Sequence, residues 1–184
     1  MKPQLGDTIL NRYTLVSSLR EEPGIQAWKA NDRVLAKDCQ LFIITNRSAF
    51  AAIDELAGRM AATRPDRVIP VLKYRMESDV LLIVMPVDSG QCLTDYMVDT
   101  AKPLSYSAIR SIIGECADVL REVIADTPSG IVITTDTVRV TTSGVQIADA
   151  PCATMLAVRP LPICVRTVLN GMRFASLRHY SIPC

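Results

Sequence analysis

Two carboxylates, Asp136 and Asp149, stand at either end of a stretch, 137–148, that reads as a β-hairpin. A carboxylate so placed can serve as a general base or hold a divalent cation. It is also what tight turns use, and on type and position alone the turn role is the stronger for both. The rest of the chain is sparse in reactive groups. His179 is the single histidine and sits beside Tyr180, with no serine or cysteine nucleophile in a recognisable motif nearby. The six cysteines (Cys39, Cys92, Cys116, Cys152, Cys164, Cys184) lie far apart and form no C-x-x-C pair, so no metal site is expected. Cys39 and Cys116 fall at apolar positions of a predicted strand and a predicted helix, as buried thiols in a reducing compartment do. The Thr134-Thr135 and Thr141-Thr142 pairs are what strands and turns use.

Composition narrows the classes. The 184 residues are 49% hydrophobic and 21% charged, which suits one large domain or two small lobes with a real core and excludes general disorder. A net charge of +1, with Arg59, Arg64, Arg67, Lys73 and Arg75 scattered, argues for a solvated face and against a nucleic-acid partner. The longest apolar run, 80–87, has the length of a buried strand and falls far short of a membrane span. The N-terminal MKPQLGDTIL has no apolar signal core. A soluble, cytoplasmic chain that does not itself enter the membrane is expected.

The elements that must position Asp136 and Asp149 follow from periodicity. Segments 13–19 and 25–30 alternate around Glu21-Glu22-Pro23-Gly24, which predicts a hairpin with a charged tip. Segment 39–45 is apolar enough to be a central strand. Ser48 is placed to cap a helix carrying Phe50, Ile53, Leu56, Ala57 and Met60 on one face and stopping near Thr63, before Pro65. Segments 68–74 and 80–87 read as fourth and fifth strands, completing a five-stranded antiparallel sheet with one packed helix. After the linker 86–90, a short helix over 91–98 precedes a long one from Ser105 or Ser107 to just before Pro128. Its stripe of Ile109, Ile112, Ile113, Cys116, Leu120, Val123 and Ile124 predicts a core helix. The hairpin follows, with its turn at Ser143-Gly144, and a last helical stretch covers 165–177.

In this order the elements, with several local strings, resemble the protein-kinase fold. GDTILNRYTLVSSL is similar to the lead-in and first strand of bacterial Ser/Thr kinases, and AWKAND to their second strand. RVIPVLKY resembles the segment after the regulatory helix. LLIVMPVDSGQCLTDYM resembles the fifth strand, gatekeeper, hinge and first helix of the C-lobe. GIV followed by VRVTTSGVQIADA is similar to the catalytic-loop hairpin. More narrowly, IQAWKANDRVLAKDCQLFII and DAPCATM resemble the kinase-homology domain of the actinobacterial MviN proteins, in which a lipid II flippase carries a cytoplasmic pseudokinase. The resemblance implies an α+β fold, with a kinase-like N-lobe over 1–87 and a truncated, mainly helical C-lobe over 88–184. The kinase likeness covers about 6–149, and 151–184 matches poorly.

Carried over residue by residue, the resemblance predicts a degenerate site at Glu22, Phe42, Glu55, Met85, Asp136 and Asp149. The glycine-rich phosphate loop is matched by Arg20-Glu21-Glu22-Pro23-Gly24-Ile25, which keeps one glycine and sets two carboxylates where phosphate would lie. Matching Cys39-Gln40-Leu41-Phe42 to V-A-I-K puts Phe42 in place of the lysine that bridges phosphates and the helix glutamate. Lys37 stands at the strand entrance. Glu55 matches the helix glutamate, left as a surface or rim carboxylate, and Met85 lies in the gatekeeper and hinge string. Five residues, Ile133 to Thr137, stand where the catalytic loop has eight. Asp136, the sole carboxylate among them, is expected to cap a turn. Asp149 matches the magnesium-binding Asp of D-F-G, but Ala150 and Pro151 follow it.

The resulting expectation is a catalytically inactive pseudokinase, a regulatory protein-binding module that needs no cofactor. The MviN resemblance implies control of peptidoglycan precursor export. In that role a Ser/Thr kinase phosphorylates the chain and a forkhead-associated domain reads the phosphothreonine, for which Thr154 is the candidate. It also implies a cytoplasmic domain tethered to the inner face of the membrane within a longer protein. Two alternatives stay open. One is an atypical nucleotide-binding or residual Ser/Thr kinase domain using Asp149, Lys37 and Glu55. The other is a homodimer pairing through the N-lobe sheet or the short C-lobe.

Overall fold

A computed structural model describes residues 2–63, 66–77, 79–99, 104–126, 133–153 and 155. The first half is a six-stranded antiparallel sheet: β1 (Thr8–Ile9), β2 (Tyr13–Glu22), β3 (Ile25–Asp32), β4 (Lys37–Ile44), β5 (Lys73–Glu77) and β6 (Val80–Pro86). The order in space is β1-β2-β3-β4-β6-β5. The unforeseen strand is β1, a two-residue segment that adds to β2. Because β4 has a neighbour on each side, six consecutive residues from Cys39 to Ile44 are buried. The pleat then divides them. Phe42 and Ile44 face one core with Ile25, Ala27, Ile83 and Met85, whereas Leu41 and Ile43 face a second with Tyr13, Trp28 and Leu82.

Strand β2 departs from simple alternation. Its register against β3 shifts between Leu15 and Ser17 and again between Ser18 and Arg20. Each bulge adds one residue to β2, Val16 and Leu19, and both are exposed. Two bulges re-aim the end of the strand, and Arg20 consequently turns toward the cleft described below.

Helix α1 (Phe50–Thr63) lays Phe50, Ile53, Ala57 and Met60 on the first core. Its start differs from expectation. A single 3-10 turn, Arg47–Ala49, precedes it, and Asn46 is the cap, its side chain accepting from the Ser48 amide at 3.2 Å. The expected fourth strand also moves: the sheet takes Lys73–Glu77, while Val68, Ile69 and Val71 are buried. Val68 and Ile69 are consecutive and both buried, so this part of the segment runs through the core and pairs elsewhere, whereas the exposed Leu72 donates its amide to the Val84 carbonyl of β6 at 2.9 Å. The Ile69 amide donates to the Ile147 carbonyl and the Ile147 amide to the Arg67 carbonyl, both at 2.8 Å.

Ile147 belongs to a second sheet, of β7 (Gln91–Cys92), β8 (Val138–Thr141) and β9 (Gly144–Ile147). Two residues expected to start a helix therefore pair with the hairpin, and α2 (Leu93–Asp99) follows them. The hairpin is as predicted with its turn one residue early: Thr141 faces Gly144 in register. Gly144 takes φ +120°, a conformation costly for any side chain. Helix α3 (Tyr106–Asp126) packs beside β9, and the Glu115 carboxylate accepts from the Val145 amide at 2.8 Å. Among its described side chains Val119 is buried, with Ile112 and Cys116 half-buried against the same core. The predicted stretches 130–132 and 165–177 lie outside the described residues, as do His179, Cys164 and Cys184.

One cluster of buried side chains contains the α1 face, β4, β6, Val119 and the hairpin residues Val138, Val145 and Ile147. Ile147 is 0% exposed and holds backbone bonds to both sides. Ile147→Ala should therefore cost about 2–4 kcal/mol in urea unfolding. Val34→Ala, at a side chain 70% exposed, should change stability by under about 0.5 kcal/mol.

Candidate functional site

Between the two sheets lies a cleft of about 290 Å³. The large sheet supplies Arg20 from β2, Ala27 from β3, and Gln40 and Phe42 from β4. Asp88 and Gly90 come from the connection after β6, Cys92 from β7 and Asp95 from α2. Asp136, Arg139 and Asp149 close the other wall.

Arg139 organises this space. It sits in the middle of β8, opposite Gln146 and Cys92 in register, so its side chain leaves the hairpin toward the cleft. Its side chain is 13% exposed. The guanidinium donates through Nε to Asp88 Oδ2, through Nη1 to the Asp136 carbonyl at 2.6 Å, and through Nη2 to Asp149 Oδ2 at 3.4 Å. The other oxygen of Asp88 accepts from Gln40 Nε2 at 2.7 Å. A chain of polar contacts thus runs from β4 through Asp88 and Arg139 to Asp149. Burial alone would lower the Arg139 pKa, but Asp149 and Asp88 more than offset it and the guanidinium is held charged.

Of the site residues expected from sequence, three line the cleft: Phe42, Asp136 and Asp149. Phe42 is 1% exposed and stands between Ala27 and Ile83 in register, a ring packed into the core. Asp136 is buried. Its Oδ1 accepts from the Thr94 hydroxyl at 2.9 Å, and Oδ2 lies 3.8 Å from Arg20 Nη2. Within the turn, the Thr134 amide donates to Thr137 Oγ1 at 2.9 Å. Asp149 adopts the left-handed conformation at φ 56° before the 3-10 turn Ala150–Cys152. Its Oδ1 is buried with no hydrogen-bond partner among the described residues.

The other positions lie away from the cleft wall. Met85 is 0% exposed, opposite Gln40 on β6. Glu22 ends β2 and lies 3.4 Å from Arg20 Nε. Glu55 is 62% exposed on α1 and pairs with Arg59. Lys37 is exposed at the start of β4. Thr154 lies outside the described residues. Among the described cysteines, Cys39 and Cys152 are buried and Cys116 half-buried. Burial pushes the Cys39 and Cys116 thiols up to about 11, so they are packing groups and not nucleophiles. No group of three or more potential metal ligands occurs among the described residues, and none of their helices is long and apolar enough to cross a membrane.

Arg139, Asp88, Gln40 and Arg20 were not singled out from sequence. The available signal for Arg139 was a charged residue between two valines, Val138 and Val140, in a strand whose Val138 is fully buried.

Burial pushes the Asp149 carboxyl up to about 6, with Asp88 adding to the rise while Arg139 and Arg20 pull the other way. Between about pH 4 and about 6 the folded chain therefore holds a proton that the unfolded chain has released. Stability from this group is present at low pH and lost as the pH rises through about 6. A rise of that size corresponds to about 3 kcal/mol at most. Asp149→Asn should raise Tm relative to the parent chain more at pH 8 than at pH 4.5. An equal offset at both pH values, measured by calorimetry, would contradict this.

No protein-family sequence model matches this chain, and no curated protein matches it by sequence. Solved structures do. A point mutant of the Mycobacterium tuberculosis PknI kinase domain superposes with a TM-score of 0.70 at 16% identity, over 82% of this chain and 63% of that one. The apo form of PpkA-294 gives 0.69 at 13% identity, over 90% of this chain and 72% of that one. Rad53 1-466 in complex with AMP-PNP gives 0.65 at 15% identity, over 76% and 38%. This chain spans less than two thirds of the PknI kinase domain. The likeness establishes the architecture, an α+β, protein-kinase-like fold, and the large sheet has six strands among the described residues where five were expected.

Proposed function

We propose that this chain is a kinase-like domain that acts by binding protein partners and does not transfer phosphoryl groups. The observation that carries the reading is the Arg139 guanidinium, lodged in the cleft and bonded at once to Asp88, Asp149 and the Asp136 carbonyl. Phosphoryl transfer on this fold needs a lysine on the phosphates and carboxylate and amide groups on magnesium. The residues present do not fit a magnesium nucleotide. Phe42 takes the position matched to the lysine and is packed among apolar neighbours. Asp149, matched to the metal carboxylate, gives one oxygen to Arg139 and is pushed toward its neutral form by burial. The cleft volume of about 290 Å³ is at the bottom of the range for small-molecule sites, about 300–1,000 Å³.

Thermal melting with magnesium and ATP separates this from the alternative of a residual nucleotide-binding domain. The expected result is a Tm unchanged by millimolar Mg-ATP or Mg-ADP. A saturable rise of several degrees would overturn the proposal, because ligand binding to the folded state stabilises it by mass action.

The resemblance to the MviN kinase-homology domain extends the reading to a class of partner. A Ser/Thr kinase modifies the chain, and a forkhead-associated domain recognises the phosphothreonine through its arginines. Thr154 follows the Asp149–Cys152 turn and is the residue assigned to this role. The chain phosphorylated in vitro by a bacterial Ser/Thr kinase domain should bind an isolated forkhead-associated domain in calorimetry, and Thr154→Ala should abolish that binding. Undiminished binding by the Thr154→Ala protein would remove Thr154 from the assignment.

A further inference from the structure

The large sheet ends on β5, and its outer edge is exposed. Strand β5 pairs with β6 on one side, in a register without a bulge from Lys73↔Val84 to Glu77↔Val80. It is the terminal strand of the sheet. Natural edges are usually blunted by proline, bulges or inward charges. Here the strand is KYRME, with no proline, and every residue from 72 to 76 is exposed. Leu72, Tyr74 and Met76 are 54%, 40% and 50% exposed and, at spacing two, share one face. That is an apolar row along an edge with no partner strand among the described residues. On the opposite face stand Lys73, Arg75 and Glu77, and Asp79 follows in the turn. The charges along the edge therefore run from positive to negative.

A strand with that polarity is complementary to itself when antiparallel. Placing Met76 opposite Met76 of the second copy sets Arg75 against the copy's Glu77, and Glu77 against the copy's Arg75. Both faces agree in this register: methionines meet on one and opposite charges on the other, the arrangement that stabilises cross-strand pairs. The charges are available for exchange. Arg75 and Glu77 pair within the chain at 2.8 Å with side chains 54% and 39% exposed, and exposed Asp79 pairs with Arg47. A one-residue slip would put charged side chains on the apolar face, and centring the pairing on Arg75 instead would set Arg75 against Arg75.

We infer that β5 forms a symmetric strand-to-strand homodimer, joining two six-stranded sheets into one, centred on Met76. The occupant is a second copy because the charge sequence of this edge complements itself. The interface is small, below the roughly 1,200 Å² of stable complexes, so the association is weak and concentration-dependent. It is independent of whether the cleft takes nucleotide, since β5 supplies none of the cleft-lining residues.

Sedimentation equilibrium of the full chain over a micromolar to millimolar series tests this. The expected result is a monomer–dimer equilibrium with a micromolar Kd. Arg75→Glu opposes carboxylates twice across the symmetric interface and should weaken the dimer at least tenfold at unchanged Tm. The double variant Arg75→Glu, Glu77→Arg restores opposite charges and should return Kd to within about threefold of the parent. A monomer at all concentrations would overturn the inference. So would a dimer indifferent to Arg75→Glu, or a weakened dimer that the double variant does not rescue.

Discussion

A cation buried between the two sheets must be met by anions, and this requirement organises the centre of the molecule. Arg139 leaves β8 with a side chain only 13% exposed, and an uncompensated charge there would cost several kcal/mol. Asp88, Asp149 and the Asp136 carbonyl meet it from three separate segments. Each of those segments is held independently. Asp88 is tied to β4 through Gln40, Asp136 to α2 through Thr94, and Asp149 follows β9. The guanidinium presents its donors in a rigid fork, so all three contacts are made together at one relative placement of the sheets. Replacing the cluster with apolar side chains would pack as well, but it would lose this dependence on geometry.

The apolar frame is arranged to the same end. The segment 67–69 lies in the first core and bonds with β9, and this joins the α1 side of the molecule to the hairpin that carries Arg139. Glu115 of α3 accepts from the Val145 amide and braces the hairpin on its other side. The two bulges in β2 turn Arg20 into the cleft, where it adds a second cation near Asp136 and Asp149. Two arginines and four carboxylates, those of Asp88, Asp95, Asp136 and Asp149, thus line a space of about 290 Å³. Desolvation dominates for Asp149, and its carboxyl is pushed up despite the arginines.

Much of this frame was legible in the sequence because hydrophobic period reports burial directly. Strands β3, β4 and β6, the face of α1 and the hairpin all carry the period their surroundings demand. The errors fall where tertiary contacts override period. Val68 and Ile69 look like strand residues of the large sheet but bridge to β9. Gln91 and Cys92 continue a helical pattern but pair with β8. The bulges in β2 were invisible because Val16 and Leu19 are apolar and exposed. The site was less legible than the fold. Matching motifs found Phe42, Asp136 and Asp149, since those positions are defined by what a kinase would place there. It passed over Arg139, Asp88 and Gln40, whose importance lies in their contact with one another across 48 and 51 residues of chain.

The fold and the site therefore carry different kinds of information. A TM-score of 0.70 at 16% identity shows that the same packing of sheet, helix and hairpin survives nearly complete replacement of side chains. Backbone hydrogen bonds and apolar volume tolerate such replacement. Charge networks do not, because each ion buried in the cleft restricts what its neighbours can be. With Arg139 in place, Asp88 and Asp149 each give it an oxygen, and Gln40 has to be long enough to reach Asp88. These four positions form one unit of constraint. Chemistry on this fold depends on which side chains converge in the cleft, and here they converge on each other.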